Sequence, residues 1–301
     1  MKNIISCEQF NINELEEIFS LTDSIIKFPS DFSSLLKGRL IATLFYEPST
    51  RSRLSFEAAA LRLGASVLGT ENALAASSAY KGESLSDTIR IVAGYADAIV
   101  LRHFENDSAV IAQSVSEVPV INAGSGSAEH PTQALLDAYT IYKHKGGLKN
   151  LSVLLMGDLK YGRTIHSLLK LLSLYDGLVI YGLSDAELSL PEEYVELLEN
   201  KKLVYRKINS IFEAPQKIDV IYQTRMQKER FEGENVSKLI CTIDNNLLNY
   251  FDTETILLHP LPRNQEILPE VDANKRSLYF MQARYGMYVR MALFCKVLEV
   301  L

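Results

Sequence analysis

Short apolar runs alternate with segments of helical period along almost the whole chain. The runs are "LIATLFY" (40–46), "ASVLGT" (65–70), "AIVLR" (98–102), "VPVIN" (118–122), "LSVLLM" (151–156), "LVIYGL" (178–183), "KLVYRKI" (202–208), "DVIYQT" (219–224) and "TILLH" (255–259). They are strand-sized and continuous rather than alternating, the pattern of parallel strands covered on both faces. Between them, Asn11 is placed to cap a helix carrying Leu15, Ile18, Thr22 and Ile25 at helical spacing. Leu54, Ala58 and Leu61 mark one face of a helix that ends before Gly64, and Ser84 with Asp87 has capping-box spacing ahead of "TIRIVAGYA". The alternation predicts an α/β fold with two doubly wound, mainly parallel sheets. They split near the helix in "HPTQALLDAYTIYKHKGGLKN". The final stretch, "SLYFMQARYGMYVRMALFCKVLEVL", is too long and apolar for an exposed tail. It predicts a helix that packs back onto the first domain.

Composition adds constraints. With 301 residues, 47% hydrophobic and 23% charged, the chain has the material for two ordinary cores. Its net charge of −6 argues against a general nucleic-acid binder, which needs a broad positive field. Cys7, Cys241 and Cys295 lie far apart with no CxxC pair, which suits reduced, buried thiols in a cytosolic protein. The opening "MKNIISCEQF" lacks the apolar stretch of a signal peptide, and no run reaches membrane-spanning length. A soluble, intracellular, cytoplasmic protein is expected.

Candidate chemistry follows from the strand ends, since ligands of open α/β sheets bind beyond the carboxyl ends of the strands. Those positions carry Glu47-Pro48-Ser49-Thr50-Arg51, Arg102-His103, the stretch leading to His130, "GDLKYGRT" with Asp158 and Arg163, Arg225-Met226-Gln227, and "HPLPR" from His259. A lone arginine at a strand end is usually a solvated loop charge; six basic strand ends in a net acidic chain point to anionic ligands. In "FYEPSTRSRLSFE" the bland reading is that Ser49 or Thr50 caps the helix. A helix needing only a cap has no use for arginines just inside its positive end, where they are mildly unfavourable. Free N–H groups, hydroxyls and the planar fork of Arg51 together suit a phosphate. There is no GxxxxGK[ST], no GxGxxG, no HExxH or other metal spacing, no Gly-x-Ser-x-Gly elbow and no Cys–His pair. No metal and no cofactor are expected, and the chemistry rests on positioning and charge stabilisation.

"FYEPSTRSRLSFE", "KGESLSDT", "LRH", "HPTQALLD", "GDLKYGRTIHSL", "TRMQKERF" and "HPLPR" stand in the order and spacing of the aspartate/ornithine carbamoyltransferases. The chain resembles that family over nearly its whole length. Ornithine enzymes typically carry a lysine near the Glu47 position and "HCLP" in place of "HPLP", so the resemblance falls on the aspartate side. It implies a carbamoyl-phosphate-binding domain over 1–131 plus 287–301 and an aspartate-binding domain over 132–286. It further implies that Ser49, Thr50, Arg51 and Ser52 bind the phosphate, that Ser52, Arg102 and His130 meet the carbonyl oxygen, and that Gln133 holds the amino group. Ser77 and Lys81 match a loop inserted into the neighbouring subunit's site, with Lys81 serving both substrates. Arg163, Thr164, Arg225, Gln227, Leu261 and Pro262 would hold aspartate. Glu47 is expected to pair with Arg163 or Arg230 and favour domain closure.

The implied reaction gives N-carbamoyl-L-aspartate and phosphate, a step of de novo pyrimidine biosynthesis. The donor brings its own leaving group, so no nucleophilic side chain is required. A homotrimer with shared sites is implied, with regulatory chains left open. Two rival readings stay open: a carbamoyltransferase for another amino acid such as ornithine or an acetylated relative, and a non-catalytic binding protein on the same fold. The chain departs from the common family pattern at Ser52 (usually Thr), Ser125 (usually Asp) and Arg284-Tyr285 (usually Glu-Asn). His103, His166 and His259 are expected to be structural.

Overall fold

A computed structural model of the chain describes residues 2–71, 82–225 and 241–301. Among those residues there are nine strands, all paired in parallel. They are β1 (Leu40–Phe45), β2 (Ser66–Glu71), β3 (Ala98–His103), β4 (Val120–Ser125), β5 (Ser152–Met156), β6 (Val179–Leu183), β7 (Val204–Ile208), β8 (Val220–Gln223) and β9 (Ile256–Leu258). Parallel neighbours cannot be joined by tight turns, so helices intervene. Among the described residues these are α1 (Ile12–Lys27), α2 (Thr50–Arg62), α3 (Leu85–Ala93), α4 (Ser108–Val115), α5 (Pro131–Lys145), α6 (Arg163–Leu172), α7 (Glu192–Asn200), α8 (Asn245–Tyr250) and α9 (Tyr279–Val297).

The chain divides into two compact units, Met1–Leu136 with Arg284–Leu301, and Asp137–Ala283. The first holds a sheet of order β2-β1-β3-β4, the second one of order β7-β6-β5-β8-β9. In each the order reverses beside the first strand, between β1 and β3 and between β5 and β8. Those two switch points are where the carboxyl ends of adjacent strands diverge and leave a crevice.

Two of the expected helices start at the caps their sequences offer, while α2 forms without a side-chain cap and leaves its Leu54 and Leu61 exposed. Asn11 Oδ1 accepts from Glu14 N–H at 3.0 Å at the start of α1, and Leu15, Ile18, Thr22 and Ile25 are buried. Ser84 Oγ accepts from Asp87 N–H at 3.1 Å at the start of α3. The chain crosses between units inside α5 and α9, not in loops. Tyr279 at the start of α9 belongs to the core of the second unit, together with Leu154, Ile221 and Leu257. Further along, Phe294 meets Phe56 edge-on with centroids 5.9 Å apart, and the buried Arg290 guanidinium lies 4.7 Å above the Phe56 ring. The final helix thus packs against the first unit. Each fully buried Phe contributes roughly 1.5–3 kcal/mol relative to exposure.

Coverage on both faces holds for the central strands and fails at one edge of each sheet. In β2 Leu68 is 47% exposed, and in β7 Val204 is 42% exposed. The other two edges, β4 and β9, are buried throughout, with bridges from Ile4 to Ile121 and from Ser277 to Leu257 alongside them, so an apolar edge run is buried only where further chain covers it. Cys7 and Cys295 are buried free thiols, while Cys241 is only half-buried, against the expectation for all three. No helix among the described residues is long and apolar enough to cross a membrane.

Candidate active site

In the first unit, β1 and β3 run in register with Phe45 opposite Arg102, and Tyr46 N–H donates to Arg102 O at 2.8 Å. The chain then turns through Pro48 into α2. Ser49 is the N-cap residue, at φ −160° and ψ 82°, yet its side chain makes no capping hydrogen bond. The bland explanation for this hydroxyl therefore fails. Asn11, Ser84 and Asp244 cap their helices with side-chain oxygens. The first turn of α2 presents backbone N–H groups and its positive dipole end without that cover. Arg51 is exposed there and Ser52 is buried.

Arg102 is held firmly, with 12% of its side chain exposed. Nη2 lies 3.1 Å from Glu47 Oε2, and Nη1 donates to Ala123 O at 3.3 Å. Glu47 therefore pairs with Arg102 inside the first unit. His103, next along β3, is structural: Nδ1 accepts from Glu105 N–H at 3.1 Å and the ring stacks on Phe104 at 4.1 Å. Burial pushes its pKa below the ordinary value against the opposing pull of Glu105.

Beyond β4, side chains lock the loop that delivers His130. Asn122 accepts from Gly124 N–H at 2.8 Å and from the Ser125 hydroxyl at 3.1 Å. The Glu129 carboxylate accepts from the Ser6 hydroxyl at 2.9 Å and from Cys7 N–H at 2.7 Å. His130 is buried, and its carbonyl accepts from Gln133 and Ala134 N–H at 3.0 and 3.1 Å, opening α5. Gln133 stands half-buried on that first turn.

In the second unit Gly157 follows β5, with φ +105°, and an added Cβ there would come within 2.3 Å of Thr224 O. Only glycine allows β5 and β8 to approach this closely. Asp158, fully buried, accepts from Tyr161 N–H at 2.8 Å and shapes the turn into α6. Arg163 and Thr164 open that helix, Arg163 buried, and Arg225 follows β8 half-buried. His166 is structural, its Nε2 2.8 Å from Leu159 O and its ring stacked on Tyr194 at 4.2 Å. After β9, Leu261 precedes a cis bond to Pro262 and itself sits at φ +55°. Arg263 is committed elsewhere, paired with Asp272 and donating to the Tyr279 hydroxyl at 2.8 Å. Its guanidinium serves the second unit's own structure.

Glu47, Ser49, Thr50, Arg51, Ser52, Arg102, His130 and Gln133 thus surround the carboxyl ends of β1, β3 and β4, while Arg163, Thr164, Arg225, Leu261 and Pro262 follow β5, β8 and β9. Ser77, Lys81, Gln227 and Arg230 lie outside the described residues. The sequence reading missed the supports: Glu129, Asn122, Asp137, Tyr222, Gln282 and Glu266. Only Glu266, shortly after "HPLPR", carried any local signal. Among the described residues no group of three or more His, Cys, Asp or Glu is placed to hold a metal ion.

Fold and site define a class: a two-unit parallel α/β protein whose two switch points each gather arginine and hydroxyl side chains of the kind that suit an oxyanion. Comparison with known proteins is specific. The aspartate/ornithine carbamoyltransferase carbamoyl-P binding domain matches residues 2–143, and the Asp/Orn binding domain of the same family matches residues 149–297. The aspartate carbamoyltransferase catalytic subunit of Clostridium novyi is 48% identical over 99% of this chain and 98% of its own. That of Finegoldia magna is 46% identical over the same shares. The catalytic subunit of M. Jannaschii aspartate transcarbamoylase superposes with a TM-score of 0.93 at 43% identity, covering 99% and 98% of the two chains. Aspartate transcarbamoylase from Trypanosoma cruzi, in complex with N-(phosphonacetyl)-L-aspartic acid, gives 0.92 at 39%, covering 98% and 95%. The chain belongs to the aspartate/ornithine carbamoyltransferase family.

Proposed function

We propose that this protein is an aspartate carbamoyltransferase catalytic chain, transferring the carbamoyl group of carbamoyl phosphate to the α-amine of L-aspartate. The observation that carries the reading is the uncapped start of α2: the Ser49 hydroxyl, spared from capping, stands beside Thr50, Arg51 and Ser52 at the β1–β3 switch point. In this reading Ser49, Thr50, Arg51 and Ser52 bind the phosphate, joined by Ser77 and Lys81. Ser52, Arg102 and His130 point hydrogen-bond donors at the carbonyl oxygen, and Gln133 holds the carbamoyl NH2. Arg163, Thr164, Arg225, Gln227, Lys81 and the backbone around Leu261 and Pro262 hold the two carboxylates of aspartate.

The amine lone pair attacks the carbonyl carbon, forming a C–N bond and a tetrahedral oxyanion. Collapse breaks the C–O bond to phosphate, which departs with its electron pair and takes the amine's proton. No side chain is consumed. Each lost oxyanion donor costs about a hundred- to thousand-fold in rate. Two anions repel on approach, and the arginines offset that repulsion while fixing the geometry of attack. Arg163 and Arg225 suit a dicarboxylate and disfavour a cationic acceptor such as ornithine. The subsidiary reading is a cytoplasmic homotrimer with shared sites, acting in de novo pyrimidine biosynthesis.

The test is carbamoyl transfer by the purified chain with L-aspartate and, separately, L-ornithine. Aspartate-dependent product formation that falls in Arg51→Ala and His130→Ala is expected. Ornithine turnover would reassign the second unit, and binding of carbamoyl phosphate without turnover of either acceptor would make the protein a binding protein.

A further inference from the structure

Behind the loop that follows β9 runs a buried chain of hydrogen bonds. Glu266 Oε1 lies 2.9 Å from His259 Nε2, and His259 Nδ1 accepts from Leu261 N–H at 2.8 Å. An imidazole that accepts at Nδ1 carries its proton on Nε2, so Nε2–H donates to the Glu266 carboxylate. Glu266 Oε1 also accepts from Asn264 N–H at 3.1 Å. In the other direction His259 N–H donates to Gln282 Oε1 at 3.0 Å, and Gln282 Nε2 donates to Asp137 Oδ1 at 2.5 Å. Tyr222 donates its hydroxyl proton to Asp137 Oδ2 at 2.6 Å, and Thr164 hydrogen-bonds to Tyr222. Glu266, His259, Gln282, Asp137 and Tyr222 are each no more than 1% exposed.

The chain has one consistent direction. A carboxylate only accepts, so Gln282 must turn its NH2 to Asp137 and its oxygen to His259. Nor is the arrangement explained by stability alone, because buried ionic groups are often replaceable by apolar ones at no loss. Its ends are informative. One is the backbone N–H of Leu261, a branched residue held at φ +55°, a conformation that costs on the order of 1–3 kcal/mol and persists only when its surroundings enforce it. The other is Thr164 in the first turn of α6.

We infer that Glu266, His259, Gln282, Asp137 and Tyr222 form a positioning device that sets Leu261, Pro262 and Thr164 in register with one another for the amino-acid substrate. The inference rests on the reading above that these three meet aspartate; none of the five supporting side chains touches substrate in it. Disturbing the device therefore weakens aspartate binding and leaves carbamoyl phosphate, assigned to the first unit, unaffected.

Steady-state kinetics of the full chain test this, with each substrate varied in turn and thermal melting as a control for folding. Glu266→Leu is expected to raise the KM for aspartate about tenfold or more, with the KM for carbamoyl phosphate within about twofold of the parent. Glu266→Gln keeps an oxygen that accepts from His259 Nε2–H and is expected to recover most of that loss, which a general packing defect would not do. If Glu266→Leu does not fold, Gln282→Met breaks the next link and is expected to show the same split. An unchanged aspartate KM in a folded variant, or an equal rise for both substrates, overturns the inference and leaves the proposed function standing. A parent chain that turns over no aspartate overturns both.

Discussion

At the scale of single residues, two N-cap residues behave differently from each other. Ser49 occupies an N-cap position without capping, whereas Asn11 caps α1 with a full capping box. Removing a capping side chain typically costs about 1 kcal/mol. Asn11→Ala is therefore expected to lower stability by that amount with unchanged kinetics. Ser49→Ala is expected to leave the melting temperature within error while raising the KM for carbamoyl phosphate. Equal destabilisation by both would show that the Ser49 hydroxyl serves the helix. Glu47 is paired with Arg102, and we propose that it also favours domain closure. Glu47→Gln weakens its hold on cations, and the expected outcome is a raised KM for aspartate. Aspartate affinity equal to that of the parent would remove Glu47 from that role.

At the scale of elements, the loop after β9 shows how charge and backbone shape are linked. Burial alone would raise the pKa of Glu266, but hydrogen bonds from His259 and from the backbone hold it below the ordinary carboxylate value. A carboxyl whose pKa is depressed by folding contributes stability above its unfolded pKa, and that contribution fades as pH falls through the folded one. The parent is expected to be more stable than Glu266→Gln at neutral pH, and the gap is expected to close on acidification below the ordinary carboxylate range. Denaturant melts of both proteins across that range provide the check. A gap independent of pH would mean that the Glu266 charge contributes nothing through His259.

At the scale of the whole molecule, the proposed trimer places Lys81 of one copy in the site of the next. Arg51→Ala and Lys81→Ala chains, each inactive alone, would then complement when mixed, dissociated and reassembled. Random pairing leaves both residues intact in about a quarter of the sites of a cyclic trimer. Recovery toward that fraction of parental activity is expected, read out by carbamoyl transfer. No recovery in reassembled trimers would mean that each site draws both residues from one chain.

Much of this molecule follows from one-dimensional pattern, because apolar runs and cap residues act through neighbours in sequence. The nine strands of the described residues, the caps of α1 and α3, and the strand ends bearing Arg51, Arg102 and Arg163 follow from local chemistry. Pattern failed where burial depends on what lies alongside: β2 and β7 have strand-like sequence on exposed edges, whereas the edge strands β4 and β9 are buried. It also left open which polar group does what. Arg51 and Arg263 both follow strands, yet only the folded chain brings Asp272 and Tyr279 to Arg263. Asp137 and Gln282 stand 145 residues apart and meet at 2.5 Å. A hydrogen bond requires angstrom-scale approach, and over such a separation only the packing of α5, β8 and α9 determines it.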